Sequence, residues 1–390
     1  MANFDEMIDR RGTHSDKWDA MEGIFGISPD DGLPMWVADM DFRAPQAVHD
    51  ALQEVVDRGV YGYFADDASY NAAICGWMAR HHGWELRPEW ISTTHGLVAA
   101  VALAIQAFTK KGDGVIIFTP VYHAFASKIR SNERRVVESE LVEKQGRYEM
   151  DLKALEATLD GSERMVILCS PHNPGGRVWH VQELRALADF CVKHDLVLVS
   201  DEVHHDLVFA PHKHTVMALA APEIADRLVT LAAVSKTFNL AGGMNGFTVI
   251  SDPELQARFK KTQQAGGTSP NYFGKIMTEA AYNEGDSWLA ELLDYLVENR
   301  RIFDAGVNAI PGVRSMVLEA TYLAWVDFSG TGMAMDEVIR RVQTGAKIAA
   351  SHGKTFGSGG ENFLRFNLGC PRSMVVEAVT RLQEAFKDLQ

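Results

Sequence analysis

The sequence predicts an α/β fold, with a large domain built on a mostly parallel sheet and a smaller α+β domain after it. Two observations carry that reading. Between about residues 90 and 250, short and continuously apolar runs alternate with amphipathic stretches, as strands buried on both faces do when helices cross between them. Past about residue 285 the alternation stops, and a long helical pattern is followed by separated strand-like pieces.

Taken in order, GVIIFTP (114–120), MVILCSP (165–171), LVLVSDE (196–202), LVTLAAVS (228–235) and FTVIS (247–251) read as buried strands, because their apolar residues run on rather than alternate. Between them GLVAAVALAIQAFTKK (96–111), DLKALEATLD (151–160) and VQELRALADFCVKHD (181–195) read as helices, with Asp151 as an N-cap. SWLAELLDYLVENRRIFDAG then predicts one long helix, VRSMVLE, TYLAWVDF and FLRFNLG predict strands, and a helix ends the chain. The first 50 or so residues have no place in the large sheet. The expected division is an N-terminal segment (1–50) packing with the small domain, a large domain (51–285) and a small domain (286–390).

Composition excludes several classes of function. The chain has 390 residues, 46% of them hydrophobic and 23% charged, which is ordinary for a globular protein. Its net charge of -14 repels nucleic acid and anionic lipid, so an acidic ligand must be gripped by local positive features. Cys75, Cys169, Cys191 and Cys370 lack CxxC spacing and read as reduced thiols of a cytoplasmic protein. No run approaches the roughly 18 apolar residues that span a bilayer, and the charged N-terminus has no signal-peptide core. A soluble protein with no membrane partner is expected.

In a parallel sheet, ligands bind outside the carboxyl ends of the strands. Polar residues crowd those ends here: Ser170-Pro171-His172-Asn173, Asp201-Glu202 and Ser235-Lys236. A lysine shielded from water loses its proton readily and becomes a nucleophile toward aldehydes, forming a Schiff base. A lone lysine is more often a solvated loop residue. Asp201 alters that balance, because a carboxylate ending a strand of Leu, Val and Ser is costly unless a cation meets it. A helix cap or an arginine is one such answer. A pyridinium nitrogen is another: in enzymes using pyridoxal 5'-phosphate (PLP), a carboxylate keeps the ring protonated while a lysine holds the aldehyde carbon. Asn173 sits in a turn forced by proline and glycines, with an amide able to donate to a phenolate oxygen. Gly96 and Leu97 open a long apolar helix whose free N–H groups favour a phosphate. Tyr122 offers a ring to lie over a cofactor, or core packing.

Jointly these residues resemble the fold type I PLP enzymes, in that family's order of Gly-led helix, aromatic, Asn, Asp and Ser-Lys. The stretches LPMWVADMDF (33–42), GVYGYF (59–64), SPHNPGGRVW, SDEVHHDL, SKTFNLAG and LGCPRS narrow the resemblance. They are similar to the MalY/PatB group of cystathionine β-lyases, which are carbon-sulfur lyases related to class I/II aminotransferases. The resemblance implies a PLP cofactor with Lys236 as its Schiff-base lysine and proton shuttle and Asp201 as the ring-nitrogen partner. It places Asn173 and His204 near the phenolate, Tyr122 on the ring, and Gly96, Leu97 and Ser235 on the phosphate. It further implies a homodimer with shared sites, in which Tyr63 reaches the neighbouring subunit's phosphate. Arg365 would grip the substrate carboxylate, and Trp36 and Asp39 would line the entrance. Met244 stands eight residues after Lys236, where aminotransferases of this fold carry a phosphate-binding arginine, and His204 stands where they have tyrosine.

The implied reaction is β-elimination from an S-substituted cysteine, releasing thiol, pyruvate and ammonia. An aminotransferase is the alternative, and a regulatory or binding protein on the same scaffold is a third reading. A metal is not expected: His204, His205, His212 and His214 cluster, but their spacing fits no helical ligand face and no thiols accompany them.

Overall fold

The computed structural model describes residues 2–64 and 67–389. Chain order begins with β1 (Leu33–Met35), followed by β2 (Ile91–Thr94), β3 (Gly114–Thr119) and β4 (Arg135–Glu140). A small hairpin, β5 (Val142–Lys144) and β6 (Arg147–Glu149), precedes β7 (Glu163–Cys169), β8 (Val197–Asp201), β9 (Leu228–Ala232) and β10 (Gly246–Val249). The C-terminal third adds β11 (Arg314–Ser315), β12 (Leu323–Asp327), β13 (Ile348–His352) and β14 (Phe363–Asn367).

Among the described residues the large sheet runs β2-β10-β9-β8-β7-β3-β4. Its β4, β3, β7, β8 and β9 are mutually parallel. β10 runs antiparallel to both β9 and β2. Every residue of β3 and β9 is buried, because helices cover both faces. One face packs Val115, Ile117, Val199 and Leu231 against Ala104 and Ile105 of the helix Leu97–Phe108. The other packs Ile116, Val166 and Leu198 against Leu184 and Leu187 of the helix Val181–Lys193. The helix predicted over 151–160 is only one turn long, Leu152–Glu156, and is capped by the Asp151 carboxylate accepting from Ala154 N–H.

The second sheet runs β1-β13-β14-β12-β11. Its first strand comes from the N-terminal segment: Leu33, Pro34 and Met35 pair in parallel with Ile348, Ala349 and Ala350. The long helix Asp286–Val307 and the helix Arg372–Ala385 pack together over it. Residues 36–41 leave β1 and pass along the seam between the sheets, where the candidate site lies.

Candidate active site

Strand register sets the polar residues side by side. Cys169 at the end of β7 pairs with Asp201 at the end of β8, which pairs with Leu231 of β9. Past β9, the short helix Val234–Thr237 carries Lys236. These tips open on a cavity of about 630 Å³. Lys236, Asp201, Asn173 and His204 line it from the strand ends, and Gly96, Leu97 and Ser235 line it from two helix starts. Tyr122, Trp36 and Arg365 complete the wall. Gly96 has φ 75°, a left-handed conformation that costs glycine little, and no side chain caps the helix it opens.

Asp201, Lys236 and Arg365 are each displaced from their ordinary protonation. Burial pushes the Asp201 carboxyl up to about 7, only partly opposed by the Val203 N–H it accepts and by the nearby Lys236. Burial draws the Lys236 ammonium down to about 8, against the pull of Asp39. Nζ of Lys236 donates to the Ala38 carbonyl at 2.7 Å. Arg365 lies buried in β14 and is drawn down to about 10 by desolvation. Its Nη1 donates to Asn173 Oδ1 at 3.0 Å, its Nη2 to the Trp36 carbonyl at 2.7 Å and to Ser351 Oγ at 3.2 Å, while Nε has no partner among the described residues. Burial holds the Tyr122 phenol protonated and, with Lys236 and Arg365, keeps His204 neutral.

Residues 35–382 match the aminotransferase class I and II family. The chain belongs to that family. It is 41% identical to cystathionine beta-lyase PatB of Bacillus subtilis, over 98% of this chain and 99% of PatB. Among solved structures, cystalysin of Treponema denticola, which contains pyridoxal 5'-phosphate, has a TM-score of 0.95 at 36% identity and covers 100% of both chains. The PLP-bound C-S lyase of Staphylococcus hominis has a TM-score of 0.91 at 29% identity, over 99% of this chain and 98% of that one.

The donor set of this family member fits PLP. Asp201 is a buried carboxylate whose only hydrogen bond among the described residues comes from Val203 N–H, so it suits a cationic ring nitrogen. Among the described residues, Nδ1 of buried His204 and Nδ2 of buried Asn245 have no partner, and both residues line the cavity. Buried polar atoms left open in this way match a polar ligand. The uncapped helix start at Gly96 suits a phosphate.

Three expected residues stand differently from the rest. Asp39 is not in the wall: both its oxygens accept from Arg10, at 3.0 and 2.9 Å, so it acts on Lys236 through its field. Its neighbours Trp36, Val37 and Ala38 do line the cavity, and Arg10 holds the Asp39 carboxylate just behind them. Tyr63 lies outside the cavity and is fully exposed. Met244 does line the cavity, so the position faces the site and brings a thioether instead of a positive charge.

Other supporting residues escaped sequence reasoning. The Tyr322 hydroxyl donates to the Ala38 carbonyl at 2.9 Å, the acceptor Lys236 also uses. Ser351 bridges Arg365 and the Trp36 carbonyl. Thr237, next to Lys236, donates to Asp206 at 2.8 Å, and buried Asp206 also contacts Trp77, His82 and His205. Here two histidines and an aspartate bring possible ligand atoms within 4.8 Å of one another, a grouping the sequence spacing did not suggest. Four partners already satisfy that carboxylate. The Asn245 amide had the most accessible signal, since it follows Met244 at the position expected to meet phosphate.

Proposed function

We propose that the chain is a PLP-dependent carbon-sulfur β-lyase, releasing thiol, pyruvate and ammonia from S-substituted cysteines such as cystathionine. One observation carries it: Lys236, Asp201 and Arg365, from three separate elements, share one cavity wall. Near-complete length coverage by a cystathionine β-lyase at 41% identity supports the lyase over the aminotransferase.

When bound, PLP supplies the electron sink that lets an α-C–H bond of an amino acid break. Asp201 would hold the ring nitrogen in its protonated form. Tyr122 would lie against the ring, Asn173 and His204 would attend its phenolate oxygen, and Gly96, Leu97 and Ser235 would hold its phosphate. Lys236, with its ammonium drawn down to about 8, carries enough free amine near neutrality to take the α-proton. Arg365, held by Asn173, Ser351 and the Trp36 carbonyl, presents its guanidinium to the substrate carboxylate. Trp36 walls that end. The C–S bond then breaks with its electron pair on sulfur, and the remaining enamine hydrolyses to pyruvate and ammonia.

The enzyme works as a cytoplasmic homodimer in this reading. Its four unpaired cysteines suit a reducing compartment. Exposed Val56, Val60, Tyr61 and Tyr63 form an apolar stretch suited to a second copy, with Tyr63 reaching that copy's phosphate site. The deciding assay incubates the holoenzyme with cystathionine and, separately, with alanine plus 2-oxoglutarate. Pyruvate and free thiol are expected from the first. Glutamate from the second without either would establish an aminotransferase instead. Lys236→Ala should lose both pyruvate release and the borohydride-sensitive yellow absorption of the holoenzyme.

A further inference from the structure

The cavity wall contains two ionic side chains that none of these roles uses. Asp16 and Lys128 both line it, and among the described residues neither side chain makes an ion pair or hydrogen bond. Asp201, Lys236 and Arg365 all have assigned work at the reacting end. One anion and one cation are left.

Both are held by buried neighbours. Lys128 sits on the helix Ala124–Ser131 and shares a cavity-lining face with Ala124 and Phe125, as four- and three-residue spacings require. Phe125 is buried, which fixes that face. Asp16 begins the short helix Asp16–Asp19, and the next residue, Lys17, is fully buried and donates to Asp41 at 2.6 Å. His123 is a poor competitor for an anion, since burial and Arg365 lower its proton affinity.

A substituted cysteine presents its own carboxylate to Arg365, so whatever lies beyond sulfur must meet the rest of the wall. An S-alkyl group has nothing to offer a lysine and an aspartate. A second α-amino-acid end offers one carboxylate and one ammonium. Resting on the lyase reading, we propose that Lys128 and Asp16 form a distal subsite that selects thioethers whose far end is a dipolar amino acid.

The test measures kcat/KM for pyruvate release by the holoenzyme with cystathionine and with S-methylcysteine, for wild type, Lys128→Gln and Asp16→Asn. Each substitution is expected to lower the cystathionine to S-methylcysteine ratio about tenfold, the weight of one charge-assisted hydrogen bond. An unchanged ratio overturns the subsite and leaves the lyase standing. A fall on both substrates together, with a raised PLP requirement, overturns it by assigning Lys128 to the phosphate. Wild-type enzyme that releases pyruvate from neither substrate overturns the lyase reading and the subsite with it.

Discussion

Asp201 ends a strand that is otherwise apolar, and its carboxyl is raised to about 7 by burial. In an unfolded chain the same group titrates near about 3.9. The folded, cofactor-free protein therefore holds a proton there that the unfolded chain has shed, and its stability falls as pH rises from about 4 to about 7. Asp201→Asn removes that slope. Cofactor-free Asp201→Asn should melt with wild type near pH 4 and above it at pH 8; melting curves that differ by a constant amount across this range would refute the assignment. In the holoenzyme the same substitution should cut pyruvate release on the order of 100-fold, because asparagine cannot hold a ring nitrogen protonated. Arg365→Lys keeps the charge but loses the forked donor geometry, so KM should rise by about tenfold with a smaller change in kcat. These residues were legible because each puts uncommon chemistry at the end of, or within, an apolar strand. The Ala38 carbonyl that receives Lys236 and Tyr322 was not, since a backbone acceptor leaves no mark on the sequence.

At the scale of elements, continuous apolar runs located β3, β7, β8, β9 and β10, because burial on both faces removes polar positions. They did not locate β2, whose ISTT is short and hydroxylated, or β4, whose RVVESE alternates at the sheet edge. Nor does an apolar run state direction, so the antiparallel course of β10 appears only in the structure. That course matters for the phosphate end of the site. It brings Gly246, the first residue of β10, against the helix start: a Cβ there would lie 2.6 Å from Leu97 Cδ2 and 3.5 Å from the Gly96 carbonyl carbon. A Cβ there displaces the Leu97 side chain, and the further methyls of a valine crowd the helix start, overpacking of a kind that costs about 1–3 kcal/mol. Gly246→Val should therefore weaken PLP binding about tenfold in a fluorescence titration. An unaltered dissociation constant would mean that the helix start does not hold the phosphate.

Across the whole molecule, the seam between the sheets is closed by one irregular segment whose consecutive carbonyls are taken by side chains from distant parts of the chain. Trp36 O accepts from Arg365 and Ser351, Val37 O from Asn367, and Ala38 O from Lys236 and Tyr322. Asp39 O accepts from Asn367 and Lys17, and Met40 O from Asn239 and Arg10. The segment is anchored from its N-terminal side by fully buried Lys17, which donates to Asp41, itself bonded to Arg10 at 2.7 Å and Trp18 at 3.0 Å. Removing one partner of a buried pair leaves an uncompensated charge, whereas replacing both with apolar groups is often nearly neutral. Lys17→Met should thus lower unfolding free energy by about 3 kcal/mol, moving the urea midpoint while leaving the slope unchanged. Adding Asp41→Leu to it should recover part of that loss, because the buried carboxylate left with Arg10 and Trp18 but without Lys17 is gone. If the single variant is as stable as wild type, or if the double variant loses the sum of two independent costs, the segment is held by its carbonyl contacts alone and the ion pair does not anchor it.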